Sequence, residues 1–168
     1  KRDGKIAGIP TGFRDLDKLT LGLQNGDLIL VAGRPSMGKT AFGLSIAASL
    51  IENNIPAVFY SLEMSSRSVM YRLISILSKV ELKRIFQAKE LTDSDFEKIG
   101  KAVELLEKSN FFIDDTSALS PSEILSRSRK LKREFPELGL VVLDYLQLMR
   151  ADNSNPSRVN EMSEISRA

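Results

Sequence analysis

Short apolar runs alternate along the chain with longer segments of helical periodicity. Each run is continuous, rich in β-branched or aromatic residues, and too short to form a helix of its own, which is typical of parallel strands buried on both faces. We therefore predict strands at residues 28–32, 57–60, 111–113 and 140–143.

The segments between these runs carry apolar residues at helical spacing. We predict helices over residues 40–51, around 69–77, over 95–108 and over 122–135, with Thr92 and Asp95 as a capping box and Pro121 as a favourable first helical residue. Strands that alternate with helices in this order indicate an α/β domain with a mostly parallel sheet, flanked by helices and joined by right-handed crossovers.

The composition restricts the possible catalytic groups, but it says little about binding partners. The chain has no cysteine and no histidine, which excludes disulfides, thiolate zinc sites and imidazole catalysis, so a general base must be a carboxylate, lysine or tyrosine. A formal net charge of +2 is too small to diagnose a nucleic-acid binder. With no apolar run long enough to span a bilayer and no signal-peptide pattern at the start, we expect a cytoplasmic protein.

A glycine-rich motif follows the first apolar run and opens the first long helical segment. It satisfies G-x-x-x-x-G-K-[ST], and this context distinguishes a phosphate-binding loop from a chance glycine-rich turn. We expect backbone N–H groups and the helix N-terminus to meet the phosphates of ATP, Lys39 to reach the β- and γ-phosphates, and the Thr40 hydroxyl to bind Mg²⁺. The predicted nucleotide-binding residues are Gly33, Arg34, Pro35, Ser36, Met37, Gly38, Lys39 and Thr40.

Acidic residues come at or just after the ends of the three later strands. In open parallel sheets the ligand lies beyond the carboxyl ends of the strands, so these carboxylates belong to the same edge as the phosphate-binding loop. We predict Asp144 as the Walker B residue that holds Mg²⁺ and Glu63 as the general base that activates water. For Asp114 and Asp115 we favour a structural role in a turn over one in catalysis.

The motifs together resemble the DnaB-type replicative DNA helicases. The similarity runs from about Gly8 to the last residue, and its most specific parts are residues 62–65, Leu-Glu-Met-Ser, and residues 144–147, Asp-Tyr-Leu-Gln. The resemblance implies a RecA-like ATPase domain. It implies that Glu63 is the catalytic glutamate, which acts alongside Lys39, and that Asp144 is the residue at the Mg²⁺ position.

The resemblance also implies partners and boundaries. It implies a ring-shaped homohexamer that encircles single-stranded DNA and unwinds the replication fork with ATP, in a bacterial or phage-type primosome with a primase and a helicase loader. We expect residues 1–12 to end an interdomain linker and residues 13–168 to form the N-terminal part of the ATPase domain, incomplete at its C-terminus. The family's DNA-contacting loops, γ-phosphate sensor and arginine finger are expected outside this chain.

Two other functions remain open on the residues alone. One is another RecA-like ATPase, such as a recombinase or a clock-type ATPase; the other is a P-loop small-molecule phosphotransferase, although a water-activating Glu63 favours hydrolysis. Arg150 and Arg158 are candidates for DNA contact. A basic cluster before the fourth strand fits a solvated helix face better than a DNA contact; it consists of Arg127, Arg129, Lys130, Lys132 and Arg133.

Overall fold

A computed structural model describes residues 7–34 and 36–144 of the chain. Three of the four predicted strands are confirmed, each extended by one residue. In chain order the helices and strands are α1 (Arg14–Thr20), α2 (Lys39–Glu52), β1 (Ala57–Ser61), α3 (Ser66–Ser78), α4 (Leu82–Gln87), α5 (Asp93–Lys108), β2 (Phe111–Asp114), α6 (Pro121–Glu134) and β3 (Leu140–Asp144).

The strands form a parallel sheet in the order β2-β1-β3, which confirms the predicted α/β class. Ala57, at the start of β1, pairs with Phe111 and with Leu140, and the two ladders run from there to the carboxyl ends of the strands. The chain order of the strands differs from their order in the sheet, so β1 lies in the middle with both neighbours parallel to it.

The prediction of a strand at residues 28–32 is wrong for the structure described here. These residues have no regular secondary structure, and the side chains of Leu28 and Leu30 are 68% and 61% exposed. A continuous apolar run predicts burial only if other elements pair with it and cover it, and nothing among the described elements does so.

Side chains alternate between two faces of the sheet, and each face has its own helices. Phe59 of β1 packs in a core with residues of α2 and α3, such as Leu44 and Leu73. Val58 and Tyr60 point to the opposite face, where Ile124 and Leu131 of α6 cover them. We call these the α2 face and the α6 face.

The four predicted helices are confirmed, with small differences at their ends. The capping box of Thr92 and Asp95 is present at the start of α5, and a second one, which the sequence analysis missed, joins Ser120 and Glu123 at the start of α6. On α5, Ala102 is buried, whereas the large apolar side chain of Phe96 is 57% exposed. The short helices α1 and α4 were not predicted, because one or two turns carry too little periodicity.

The N-terminal residues that the structure describes contact the domain. Ile9 forms an antiparallel bridge with Leu23, and buried Thr11 donates two hydrogen bonds to the Asp17 carboxylate, from its N–H (2.9 Å) and its hydroxyl (2.7 Å). The placement of an interdomain linker at residues 1–12 stays a prediction. Across residues 7–34 and 36–144, no helix is both long and apolar enough to cross a bilayer.

Candidate nucleotide-binding site

The glycine-rich motif forms a turn that leads directly into α2. Gly38 precedes the first helical residue with a φ of +88°, a left-handed conformation that glycine adopts without strain. Ser36 is also left-handed, at a φ of +63°. The first N–H groups of α2 have no partner within the helix, so they are available to an anion at this end. Pro35 lies outside the described residues.

Lys39 folds back over the loop that precedes it. Its ammonium donates hydrogen bonds to the carbonyl oxygens of Gly33 (3.0 Å) and Arg34 (3.2 Å). The side chain thereby holds a positive charge within the turn of the motif, where a phosphate would add negative charge. The motif predicts that Lys39 meets the β- and γ-phosphates of the nucleotide, and that role stays a prediction.

Packing of α2 on the sheet places its first turn at the carboxyl ends of the strands. A Cβ on Gly43 would lie 3.6 Å from Val142 and 3.8 Å from Phe59, so helix and sheet are close here. Further along α2, Leu50 shares a cluster with Ala57 at the opposite end of β1, so the helix runs antiparallel to the strands. Lys39 lies about 6 Å before Gly43 along the helix, and Asp144 about 7 Å beyond Val142 along β3. The start of α2 therefore lies at the same edge of the sheet as the end of β3.

Asp144 ends β3 on the α2 face. It follows Val142, which packs against the α2 core, by two residues, and it pairs in register with Ser61 of β1. The carboxylate is buried, and within the described part of the chain its Oδ2 has no hydrogen-bond partner. A buried carboxylate oxygen without a partner is costly, so this group fits a role in binding a cation.

The protein alone does not supply a complete cation site among its described residues, because no group of three or more acidic side chains is assembled there. Mg²⁺ is commonly held by one or two protein ligands together with substrate phosphates and water. Asp144 and the Thr40 hydroxyl are the protein groups predicted to bind such an ion together with the nucleotide, and that assignment stays a prediction.

Glu63 lies just beyond the end of β1, with an exposed side chain. The preceding residue, Leu62, donates its N–H to the carbonyl oxygen of Asp144 at 2.8 Å, so the backbone that carries Glu63 is hydrogen-bonded to the end of β3. The structure thus brings the two predicted carboxylates to one edge of the sheet, together with the start of α2.

Asp114 and Asp115 both accept hydrogen bonds from neighbouring protein groups, which supports the structural interpretation. Asp114 lies on the α6 face, where its carboxylate accepts hydrogen bonds from Arg127 (2.5 Å) and from the N–H of Thr116 (3.0 Å). Burial acts to raise the pKa of Asp114, but the hydrogen bonds from Thr116 and Arg127 outweigh it and lower the pKa overall. Asp115 accepts the N–H of Ser66 at the start of α3 (2.7 Å), and this bond lowers its pKa.

The basic cluster on α6 is partly engaged within the domain. Arg127 pairs with Asp114, and Lys132 donates to the carbonyl oxygen of Leu138 at 2.9 Å. These contacts favour the interpretation of a stabilised helix face. Arg150 and Arg158, the other candidates for DNA contact, lie outside the described residues.

Comparison with known proteins decides the family. The family model of the DnaB-like helicase C-terminal domain matches residues 8–168. The chain belongs to this family. The sequence analysis implied that membership from the motifs around Lys39, Glu63 and Asp144, and it is confirmed.

Curated relatives of the DnaB-like domain are longer than this chain. The replicative DNA helicase DnaB of Pasteurella multocida is 44% identical over 165 residues, and that of Haemophilus influenzae is 42% identical over 165 residues. Each alignment covers 97% of this chain and 35% of the relative. The chain therefore spans about a third of the length of these relatives.

Solved structures confirm the RecA-like ATPase fold. One of them, an ATPase domain, superposes with a TM-score of 0.91 at 37% identity, covering 99% of this chain and 59% of that one. A DnaB-like replicative helicase, studied with its interactions with primase, gives the same TM-score and identity and covers 99% of this chain and 40% of its own.

Sequence reasoning missed two residues that contact the Glu63 turn, Ser61 and Asp115. The sequence analysis gave Ser61 no role, and it gave Asp115 only a structural role in a turn. The signal that could have found them was their position in the sequence. Ser61 is the last residue of β1 and Asp115 follows the last residue of β2, and in a parallel sheet the ligand lies beyond these carboxyl ends.

Proposed function

We propose that this domain binds ATP with Mg²⁺ and hydrolyses the γ-phosphate as the motor of a replicative DNA helicase. The observation that carries the proposal is the convergence of the Lys39 loop, Asp144 and Glu63 at the carboxyl edge of one parallel sheet. The family and its ATP-dependent relatives agree with this chemistry.

Each residue has a distinct part in the proposed reaction. Backbone N–H groups at the start of α2 and the Lys39 ammonium bind the phosphates, and Lys39 exchanges its bonds to the Gly33 and Arg34 carbonyls for phosphate oxygens. Thr40 and Asp144 would hold Mg²⁺, which supplies positive charge next to the phosphate oxygens. Glu63 orients a water molecule and accepts its proton.

We further propose that the intact protein works as a homohexamer on single-stranded DNA in the cytoplasm, with residues 13–168 as the first part of the motor domain. Support comes from relatives that are replicative DNA helicases and from a structural neighbour described with its interactions with primase. A primase and a helicase loader are the protein partners that this role requires.

The proposal is tested first by Lys39→Ala in the intact protein. We expect at least a tenfold loss of ATP affinity, because the cation within the loop disappears. Isothermal titration with ATP and Mg²⁺ measures the loss. Lys18→Ala is the matched control, since Lys18 is exposed and pairs only with Asp15 in the described structure. Unchanged ATP affinity in Lys39→Ala would contradict the nucleotide site.

A second experiment separates a helicase motor from a phosphotransferase. The intact protein is assayed for ATP turnover with and without single-stranded DNA, and its native mass is measured by light scattering with ATP and Mg²⁺. A helicase motor gives DNA-stimulated turnover and a sixfold mass. Turnover that responds to a small-molecule acceptor and not to DNA would replace the helicase proposal with the phosphotransferase.

A further inference from the structure

The turn that carries Glu63 is hydrogen-bonded to the ends of all three strands. The Ser61 side chain holds it to β1, the Leu62 N–H holds it to β3, and Asp115 holds its far end to the segment after β2. Glu63 itself is exposed, so its position depends on this framework of neighbouring contacts.

Ser61 closes the turn around Glu63. Its hydroxyl donates to the carbonyl oxygen of Met64 at 2.7 Å and accepts from the Met64 N–H at 3.3 Å, so Leu62 and Glu63 lie inside a closed loop of the chain. The Ser61 side chain is on the α2 face, where Ser61 pairs in register with Asp144. One buried serine therefore links the strand pair that presents Asp144 to the turn that presents Glu63.

Asp115 holds the other end of the turn. Its Oδ2 accepts the N–H of Ser66, the first residue of α3, at 2.7 Å. That N–H has no partner within the helix, and a carboxylate at a helix N-terminus is also favoured by the helix dipole. The N-cap residue, Ser65, uses its own side chain for the N–H of Ser68, so Asp115 completes the cap from a different strand.

The apolar residues on either side of Glu63 anchor the turn to the sheet. Leu62 is buried on the α6 face with Tyr60 and Leu119, and Met64 packs against the core of the α2 face. Glu63 lies between two side chains that are anchored on opposite sides of the sheet. The polar contacts of Ser61 and Asp115 then determine the orientation of the backbone between those anchors.

We propose that Ser61 and Asp115 are positioning residues, which hold the Glu63 carboxylate at a set distance from the nucleotide and from Asp144. The inference rests on the proposed role of Glu63 as the group that activates water. A displacement of about 1 Å at such a group lowers turnover by up to roughly a hundredfold. The phosphate contacts made by the Lys39 loop are independent of this turn, so ATP binding is spared.

The test uses Ser61→Ala and Asp115→Ala in the intact protein, with ATP turnover measured against ATP concentration. We expect kcat to fall roughly tenfold in each variant while KM for ATP changes less than about twofold. Asp115→Asn is expected to restore most of kcat, because the amide oxygen still accepts the Ser66 N–H. A role in stability alone would not give this split between kcat and KM.

Asp114→Ala is the matched control. Asp114 is adjacent in sequence and is also an aspartate, but it contacts Arg127 and Thr116 on the α6 face and not the Glu63 turn. Its kcat is expected to stay unchanged. An equal fall of kcat in Asp114→Ala and Asp115→Ala would indicate general loosening at the end of β2 and would overturn the proposal.

Glu63→Gln separates the failure of this inference from that of the proposed function. Normal turnover in Glu63→Gln would remove the role of Glu63 and with it the proposed hydrolysis. If Glu63→Gln stops turnover while Ser61→Ala and Asp115→Ala keep a normal kcat, only the positioning role is refuted. Should buried Ser61→Ala fail to fold, the exposed Asp115 and its Ala and Asn variants decide the question.

Discussion

Two aspartates at the strand ends show how the same residue type acquires different roles in this sheet. Asp114 ends β2 and Asp144 ends β3, and both strands are parallel neighbours of β1. Asp114 pairs in register with Tyr60, whereas Asp144 pairs with Ser61. Since successive residues of β1 point to opposite faces, an offset of one residue sends the two carboxylates to opposite sides of the sheet.

Their surroundings differ accordingly. On the α6 face, Asp114 accepts hydrogen bonds from a guanidinium and a backbone N–H, which hold it in a structural role. On the α2 face, the Oδ2 of Asp144 is buried without a partner among the described residues, beside the start of α2. Position at a strand end is therefore not enough to identify a catalytic carboxylate, and the face it occupies must be known.

The largest effect that tests this contrast is expected from Asp144→Asn in the intact protein. Loss of the negative charge should raise the Mg²⁺ concentration needed for half-maximal ATP turnover and lower turnover by roughly a hundredfold at limiting Mg²⁺. The free energy of unfolding without nucleotide should stay unchanged or rise, because the substitution removes a buried charge whose Oδ2 has no hydrogen-bond partner among the described residues. Titration of turnover against Mg²⁺, together with urea denaturation, measures both. An unchanged Mg²⁺ dependence would argue against Asp144 as the metal ligand.

Asp114→Ala should lower the stability of the domain and leave ATP turnover unchanged. We expect normal ATP turnover and a loss of about 1 kcal/mol in the free energy of unfolding, since the partly exposed ion pair with Arg127 is screened by water. A double-mutant cycle with Arg127→Ala isolates the pair from the other contacts of each residue. A coupling energy of zero would show that the pair does not contribute to stability.

Acidic pH should remove the contribution of Asp114 to the free energy of unfolding. The folded-state pKa of Asp114 is lowered, so its stabilising effect is present above its unfolded pKa of about 3.9 and is lost as the pH falls through the folded value. The difference in unfolding free energy between the parent and Asp114→Ala should be constant near neutral pH and shrink below about pH 4. A difference that grows towards low pH would contradict the sign of the pKa shift.

The smallest effect is expected from Tyr60→Phe, also on the α6 face. The Tyr60 hydroxyl is hydrogen-bonded to Ser128 at 3.0 Å, in a ring that is fully buried in the core. Removing it should cost about 0.5–1 kcal/mol of stability, because the half-buried Ser128 hydroxyl can bond to water instead. Turnover should not change, and thermal denaturation with an ATPase assay checks both. A fall in turnover would mean that the two faces are not independent.

Much of the domain followed from local patterns. The glycine-rich motif was evident from eight consecutive residues, 33–40, and the structure places Gly38 in the left-handed conformation at the start of α2. The capping box of Thr92 and Asp95 was predicted from two residues and is present. Helices and turns of this kind are decided by residues a few positions apart, so a single sequence determines them.

Only the tertiary structure decided the rest. The apolar run at 28–32 predicted a strand, yet these residues are unpaired and exposed in the described structure, because strand formation depends on partners far away in sequence. The separate fates of Asp114 and Asp144, and the contact of Asp115 with Ser66, follow from the register of β2 and β3 against β1. Register is a relation between distant segments: the sequence determined which residues carry the chemistry, and strand pairing determined which of them meet.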